Sequence, residues 1–462
     1  MSVIDDLIAA GEVLSPGVRA VILALESRIR ELEARLGQNS RNSSRPPSSD
    51  LPGSKREKKK PSGLKRGGQP GHKGHHRELL PPERAVVVEH RPESCRHCGE
   101  DVRGAKEAKP ARRHQEVELP EIRAEVTEHR MVCVRCPRCR KLTRGSLPGG
   151  APVRSFGPRL TGLAAMLVGR FRSSRREVRE VLGKLLDVAP PSLGSTQAMA
   201  REVIAALEPA YAEVRQAVRE SESLRADETS WKLAGRLHWL WVAESERGTF
   251  FHLGPSRGSR ELVEMLGEGY GGIVTSDRWS GYTICARRQL CWAHLQRNLE
   301  GLLLHGPEGA RFARRGLVIC KRLFEMMRQV KEGSLPREAL PMRMQRHRAH
   351  FSWLLRCGSN SGERKVAVFS AQLLKLESFL WTFLEHPIEP TNNAAERALR
   401  KAVLWRKGCF GSQSQDGLHF VERMLTLAET CRQIGRHPLD YLSAALSALR
   451  AGTPAPKLLS TG

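Results

Sequence analysis

The stretch 223-SLRADETSWKLAGRLHWLWVA-243 decides the fold. Ser223 to Ala226 is a β-like run that ends on Asp227; Trp231 to Leu233 then leads through a turn at Ala234-Gly235-Arg236 into a second run, Leu237 to Ala243. With a third run at Thr249 to Leu253, the region reads as a three-strand meander. Working outward, Gly272 to Ser276 is a short β-branched run that closes on Asp277. Farther along, Pro390 and the Asn392-Asn393 pair are helix-start residues, which puts Glu396 in the opening of a helix. Two strand-end acids and one helix acid, brought together, form an oxygen cage. Such a cage suits Mg²⁺ or Mn²⁺ and phosphoryl transfer by two-metal in-line displacement. Each acid alone also has an ordinary reading. The aspartates can be turn residues, and Glu396 can be the capping-box partner of Asn393 or the helix partner of Arg400. The triplet in this order is what points to chemistry.

Three strings carry a resemblance: GGIVTSDRWSGY (271–282), CWAHLQRNLE (291–300) and PTNNAAERALRKAVLWRKGCFGS (390–412). They resemble the recurrent blocks of transposases of the insertion sequence 66 family. The resemblance implies a multidomain α/β protein with a ribonuclease-H-like catalytic core and an all-α insertion before its last acid. A coiled coil, a zinc ribbon and a helical block would precede that core. It also implies a DDE triad, with Asp227, Asp277 and Glu396 as the members. It extends from the N-terminal helix to the C-terminal helices, so nearly the whole chain is covered.

Lys and Arg number 76 against 50 acids, a net charge of +26. That favours a polyanionic partner, nucleic acid first and an anionic membrane surface as the alternative. No apolar stretch is long enough to span a bilayer, and the acidic opening MSVIDDLIAAGEV is unlike a signal peptide. A cytoplasmic, nucleoid-associated bacterial protein is therefore expected. Eleven cysteines, mostly scattered but with five in one short region, do not make a disulfide framework.

Residues 1–40 carry apolar side chains at 18, 22, 25, 29, 32 and 36 with charged residues between them, the pattern of a short coiled coil. The polar stretch that follows offers no local core, which favours homo-oligomerisation over internal packing. Residues 41–85 read as a disordered basic linker. Between Lys55 and Arg77 there are nine Lys or Arg, Lys58, Lys59 and Lys60 among them, and one acid, Glu57. Such an arm can lie along phosphates. Residues 86–145 hold Cys95-Arg-His-Cys98 and Cys136-Pro-Arg-Cys139, separated by a strand-rich spacer from Gln115 to Met131. Two CxxC knuckles direct four thiolates at one structural Zn²⁺. Cys133 is a spare sulfur that can replace Cys136, although Cys136 has the better knuckle, and His97 is not counted as a ligand.

Residues 155–220 are helical: Leu160 to Phe171, Ser174 to Leu186, and a third helix capped at Ser192 that runs to about Val218. With Arg176, Arg179 and Arg201 this block fits either a DNA-reading helix-turn-helix or a hairpin that merely packs. The catalytic core comprises residues 221–298 and 388–412, with a further strand expected at Tyr282 to Leu290. His294 and Arg297 follow in the helix opened by Cys291. His294 reads either as a residue beside the scissile phosphate, as in related DDE families, or as a helix-start histidine satisfied by backbone. The acids are spaced 277 − 227 = 50 and 396 − 277 = 119 residues apart. The longer gap accommodates a helical insertion at 299–387, with helices at Phe312 to Val330, Arg337 to Trp353 and Ala371 to Leu384. After Glu396 come Arg397, Arg400, Arg406 and Lys407, with Gly411-Ser412 beyond, a set of cations and backbone suited to phosphate. Residues 413–462 form C-terminal helices.

The expected function is metal-dependent nicking of transposon ends and strand transfer into target DNA, with two Mg²⁺ or Mn²⁺ ions at the triad. The rivals are a transposase-derived zinc DNA-binding regulator and a ribonuclease-H-like nuclease that cuts without joining. By resemblance, small accessory proteins of the same element are further partners.

Overall fold

The computed structural model describes residues 15–39, 77–147 and 155–459, with isolated positions between 10 and 74. Lys58, Lys59 and Lys60 lie outside the described residues. The chain divides into two compact units, residues 53–124 and the remainder.

In the smaller unit, the first CxxC forms a tight turn. Cys95 N–H donates to Glu100 O at 2.7 Å, and Gly99 N–H returns to Cys95 O at 2.9 Å, with Gly99 at φ +80°. Ser94 and Asp101 bridge across the turn.

The larger unit opens with α1 (Pro16–Leu36), capped by Ser15. Its Val18, Leu25, Ile29, Leu32 and Leu36 stay exposed. The second CxxC lies between β1 (Cys133–Arg135) and β2 (Leu142–Arg144), an antiparallel pair. Residues 115–131 form no strand, against expectation. Val117, Leu119 and Val126 there are exposed, so no buried face rewards pairing.

The helical block follows the sequence closely. α2 (Pro158–Gly169), α3 (Arg175–Leu185) and α4 (Leu193–Arg219) start at Gly157, Ser174 and Ser192. Ser174 and Glu177 complete a capping box. α4 buries Met199, Val203, Leu207, Val214 and Val218 along one side, so it serves the core through its full length.

The meander forms as β3 (Ser223–Leu233), β4 (Arg236–Ser245) and β5 (Gly248–Gly254). Ala234 and Gly235, at φ +46° and +79°, make the tight reversal between the first two. α5 (Ser259–Leu266) then leads to β6 (Ile273–Ser276) and β7 (Arg288–Leu290). The sheet order is β5-β4-β3-β6-β7, with β3, β6 and β7 mutually parallel and β3 to β5 antiparallel. The expected strand from Tyr282 to Leu290 is a correction: only its last three residues pair, and Ser280–Ile284 is a 3₁₀ turn. Tyr282 is drawn into the interior instead, its hydroxyl donating to Glu228 at 2.6 Å.

Next come α6 (Trp292–Leu302), α7 (Gly306–Lys331), α8 (Leu340–Ser359), α9 (Arg364–Leu374) and the short α10 (Thr382–Glu385). They share a core built on Trp292, Phe351, Phe369 and Trp381 that reaches Ile273 and Leu290 of the sheet. The helix expected from Ala371 to Leu384 breaks after Leu374. Leu380 O accepts from the Trp292 indole at 2.8 Å and from Gln289 at 3.1 Å, which takes that carbonyl out of a helical ladder.

α11 (Asn393–Cys409), α12 (Gln415–Ile434) and α13 (Pro438–Ala451) close the chain. α12 lies along the edge strand β5. Glu422, Thr426 and Thr430 accept the N–H groups of Leu253, Phe251 and Thr249 at 2.6, 3.1 and 3.2 Å. Four helical residues rise about 6.0 Å and two strand residues about 6.6 Å, so a helix can serve alternate strand amides in this way. The edge is thereby closed to further pairing. Among the described residues no helix is long and apolar enough to cross a membrane.

Candidate active site

β3 and β6 run in parallel with Leu224 opposite Val274 and Arg225 opposite Thr275. Two residues beyond the last pair come Asp227 and Asp277, so side-chain alternation puts both on the same face of adjacent strands. Asp227 Oδ1 accepts the Glu228 N–H at 3.0 Å, and Asp277 Oδ1 accepts the Trp279 N–H at 2.8 Å. The third acid arrives on α11, which packs over β3 and β4. Trp405 of that helix meets Trp231 edge-on, 6.4 Å between centroids, and so seats the helix on the sheet. Glu396 lies in its first turn, where the helix dipole favours a carboxylate.

α6 supplies the neighbours of Glu396. Arg297 donates to its Oε1 at 2.8 Å, and His294 Nε2 lies 3.4 Å from the same oxygen. Burial pushes the Asp227 carboxyl well above the usual range, and the charges of Glu228, Glu396 and Asp277 push it further. All three expected acids therefore share one electrostatic neighbourhood. Burial lowers the His294 pKa and Arg297 adds to that, against the pull of Glu396 and Asp277. The oxygen donor set and the concentration of negative charge fit a hard divalent cation. Among the described residues no group of three or more histidine, cysteine or acidic side chains is close enough to hold an ion as it stands.

The remaining expected residues divide. Arg397, Arg400 and Lys407 are exposed on α11, while Arg406 turns inward to Thr229 and Ser230 of β3. Gly411-Ser412 does not offer free backbone to a phosphate. Ser412 N–H donates to Lys232 O and its carbonyl accepts from Ala234 N–H, both at 2.8 Å, because the chain straps onto the end of β3. Arg201 pairs with Asp416 at 2.8 Å. Arg176 is exposed and Arg179 half-buried.

In the second knuckle Cys136 N–H donates to Lys141 O and Arg140 N–H to Cys136 O, both at 2.8 Å, with Arg140 at φ +58°. This repeats the pattern at Cys95. Backbone N–H groups of His97 and Cys98 lower the Cys95 thiol, and those of Cys139 and Arg138 lower Cys136. Cys98 and Cys139 are exposed, and Cys133 lies outside the turn on β1.

Sequence reasoning missed several residues around the acids. Glu228, with its side chain 1% exposed, binds Arg257 at 2.6 Å and receives the Tyr282 hydroxyl. Burial and then Asp277 raise its pKa. Arg257 lies 4.0 Å from the Trp279 ring centroid and 4.9 Å from that of Trp239. The only signal for Glu228 was its place beside Asp227, and nothing local marks Arg257.

Residues 192–419 match the model described as the transposase IS66 family. That region of the chain belongs to the family. Residues 4–78 match a family of unknown function. Among curated proteins the chain is similar to y4qI of Sinorhizobium fredii, 28% identical over 274 residues, which is 52% of this chain and 50% of that protein. It is also similar to y4hP of the same organism, 27% identical over 417 residues, 79% of this chain and 72% of that protein. Both relatives are described as uncharacterized. The chain spans half the length of y4qI.

Proposed function

We propose that the protein is a DDE transposase that nicks transposon ends and joins the freed 3′-OH to target DNA, with Asp227, Asp277 and Glu396 as ligands for two Mg²⁺ or Mn²⁺. The observation that carries this reading is the parallel register of β3 and β6, which sets two acids side by side, with Glu396 inside the same field. The order β5-β4-β3-β6-β7, antiparallel then parallel, supports a ribonuclease-H-like core. When bound, the ions supply charge neutralisation at the phosphate and a water acidified enough to attack it.

The chain's own residues do the rest. Arg297 fixes the Glu396 carboxylate by donating to its Oε1, and His294 stands at the same oxygen, within reach of a proton or a phosphate oxygen. Arg397, Arg400 and Lys407 present a basic helix face to the DNA backbone. The two knuckles, through Cys95, Cys98, Cys136 and Cys139, are proposed to hold one structural Zn²⁺, on the strength of their spacing and of the matching turn at each. The exposed apolar row of α1 supports homo-oligomerisation.

The test is nicking and joining of a labelled transposon-end duplex by the purified protein with Mg²⁺ or Mn²⁺, alongside Asp277→Asn. Metal-dependent nicking and joining that disappear in the variant are expected. Tight binding without cleavage under either metal would refute the enzymatic reading.

A further inference from the structure

We infer that Asn392 is a positioning residue that holds the three acids in mutual register; this rests on the metal-site reading above. Its side chain is fully buried, and three segments of the core converge on it. Asn392 Nδ2 donates to Ala226 O at 3.3 Å, the carbonyl just before Asp227. Its backbone N–H donates to Cys291 Sγ at 3.4 Å, at the start of the helix that carries His294 and Arg297. Its own carbonyl accepts the Glu396 N–H at 3.1 Å and so starts the turn that carries the third acid. Cys291 extends the chain of contacts: its N–H donates to Ser276 O at 2.8 Å, the carbonyl just before Asp277. One asparagine and the cysteine it binds therefore connect the backbone next to each of the three acids.

Packing alone does not call for an amide here. Asn392 Oδ1 is buried with no hydrogen-bond partner among the described residues, as is His294 Nδ1. A buried acceptor left unsatisfied is destabilising, and a small apolar residue would avoid it. Such a residue would also give up the bond to Ala226 O. Without that bond, the N-terminal turn of α11 loses its tie to β3 while Trp405 and Arg406 still hold the rest of the helix, and Glu396 in that turn moves relative to Asp227. Displacement of a ligand by a fraction of an ångström is enough to weaken metal binding and misalign an in-line attack.

The experiment compares full-length wild type with Asn392→Ala, Asn392→Asp, Asn393→Ala and Asp277→Asn. Mn²⁺ binding is read from the electron paramagnetic resonance signal of the free ion, and nicking from a labelled end duplex. Both Asn392 variants are expected to bind Mn²⁺ about 10–100-fold more weakly. They should also nick about 100-fold more slowly. Duplex affinity should be unchanged, and Asn393→Ala should behave as the wild type. Wild-type Mn²⁺ affinity and nicking in Asn392→Ala would overturn the inference. So would loss of cooperative unfolding in both Asn392 variants, because the residue would then serve folding and not the site. Nicking by Asp277→Asn at the wild-type rate would instead overturn the metal-site reading, and the role of Asn392 with it.

Discussion

Thr426→Val tests how α12 closes the edge of the sheet. Thr426 is 1% exposed, and its hydroxyl accepts the buried Phe251 N–H at 3.1 Å. Valine has the same shape and no acceptor. The amide of an edge strand is then left without a partner and without access to water. An unsatisfied buried donor costs about 1–3 kcal/mol. Valine does not have to desolvate a hydroxyl of its own, which trims the net loss to about 1–2 kcal/mol. For a cooperative unit of 150–250 residues, a loss of about 1 kcal/mol lowers the melting temperature by roughly 2–4 °C. Thr426→Ser is the control: it keeps the hydroxyl and gives up one buried methyl, about 0.8 kcal/mol. Melting temperature alone separates these variants poorly. Amide hydrogen exchange separates them well, because only valine should accelerate exchange at Phe251. Exchange at Phe251 in Thr426→Val as slow as in the wild type would refute the edge-closing role of α12.

Other consequences are as specific. Burial pushes the His252 pKa down, but Glu422 and Glu261 outweigh it and hold it raised, while Glu422 itself is lowered, chiefly by His252 and His419 against its own burial. The stabilisation from this pair is complete between the ordinary carboxyl and imidazole values, about pH 4.3 to 6.5. It is lost as pH rises through the raised His252 pKa, and lost again as pH falls through the lowered Glu422 pKa. His252→Gln should therefore flatten the alkaline limb of a plot of melting temperature against pH; an unchanged limb would contradict the assignment. Cys139→Ser should lose the bound zinc by metal analysis, whereas Cys133→Ser should retain about one equivalent per chain. Equal retention in both would remove Cys139 from the ligand set. Arg397→Ala with Arg400→Ala should weaken DNA binding alike on all sequences and make the slope of log K against log salt shallower by about 0.9 per lost phosphate contact. A slope equal to that of the wild type would put both residues off the DNA path.

Much of this was legible because periodicity and punctuation are local. The alternation from Ser223 to Ala243 and the Ala234-Gly235 reversal set out the hairpin, and Ser174 and Ser192 marked helix starts, since a capping hydroxyl acts within three residues of itself. The three acids were legible for the same reason: each ends or opens a local element. Shorter elements were harder. β7 has three residues and the 3₁₀ turn before it five, too few for a period to distinguish strand from turn.

What the sequence offered by itself was a family resemblance, carried by whole motifs, together with three candidate acids and the order of the elements, which rest on residue type and spacing. Only the tertiary structure decided that Arg225 faces Thr275, that Arg406 turns inward while Arg397 faces out, and that Glu422, Thr426 and Thr430 seal β5. It also decided that Asn392, which reads as a helix start, ties Ala226 to Cys291. Each of these is a partnership between groups from separate elements, up to 181 residues apart in the chain for Thr249 and Thr430. The energy of such a contact exists only after packing has brought both partners out of water, so nothing in either local stretch announces it.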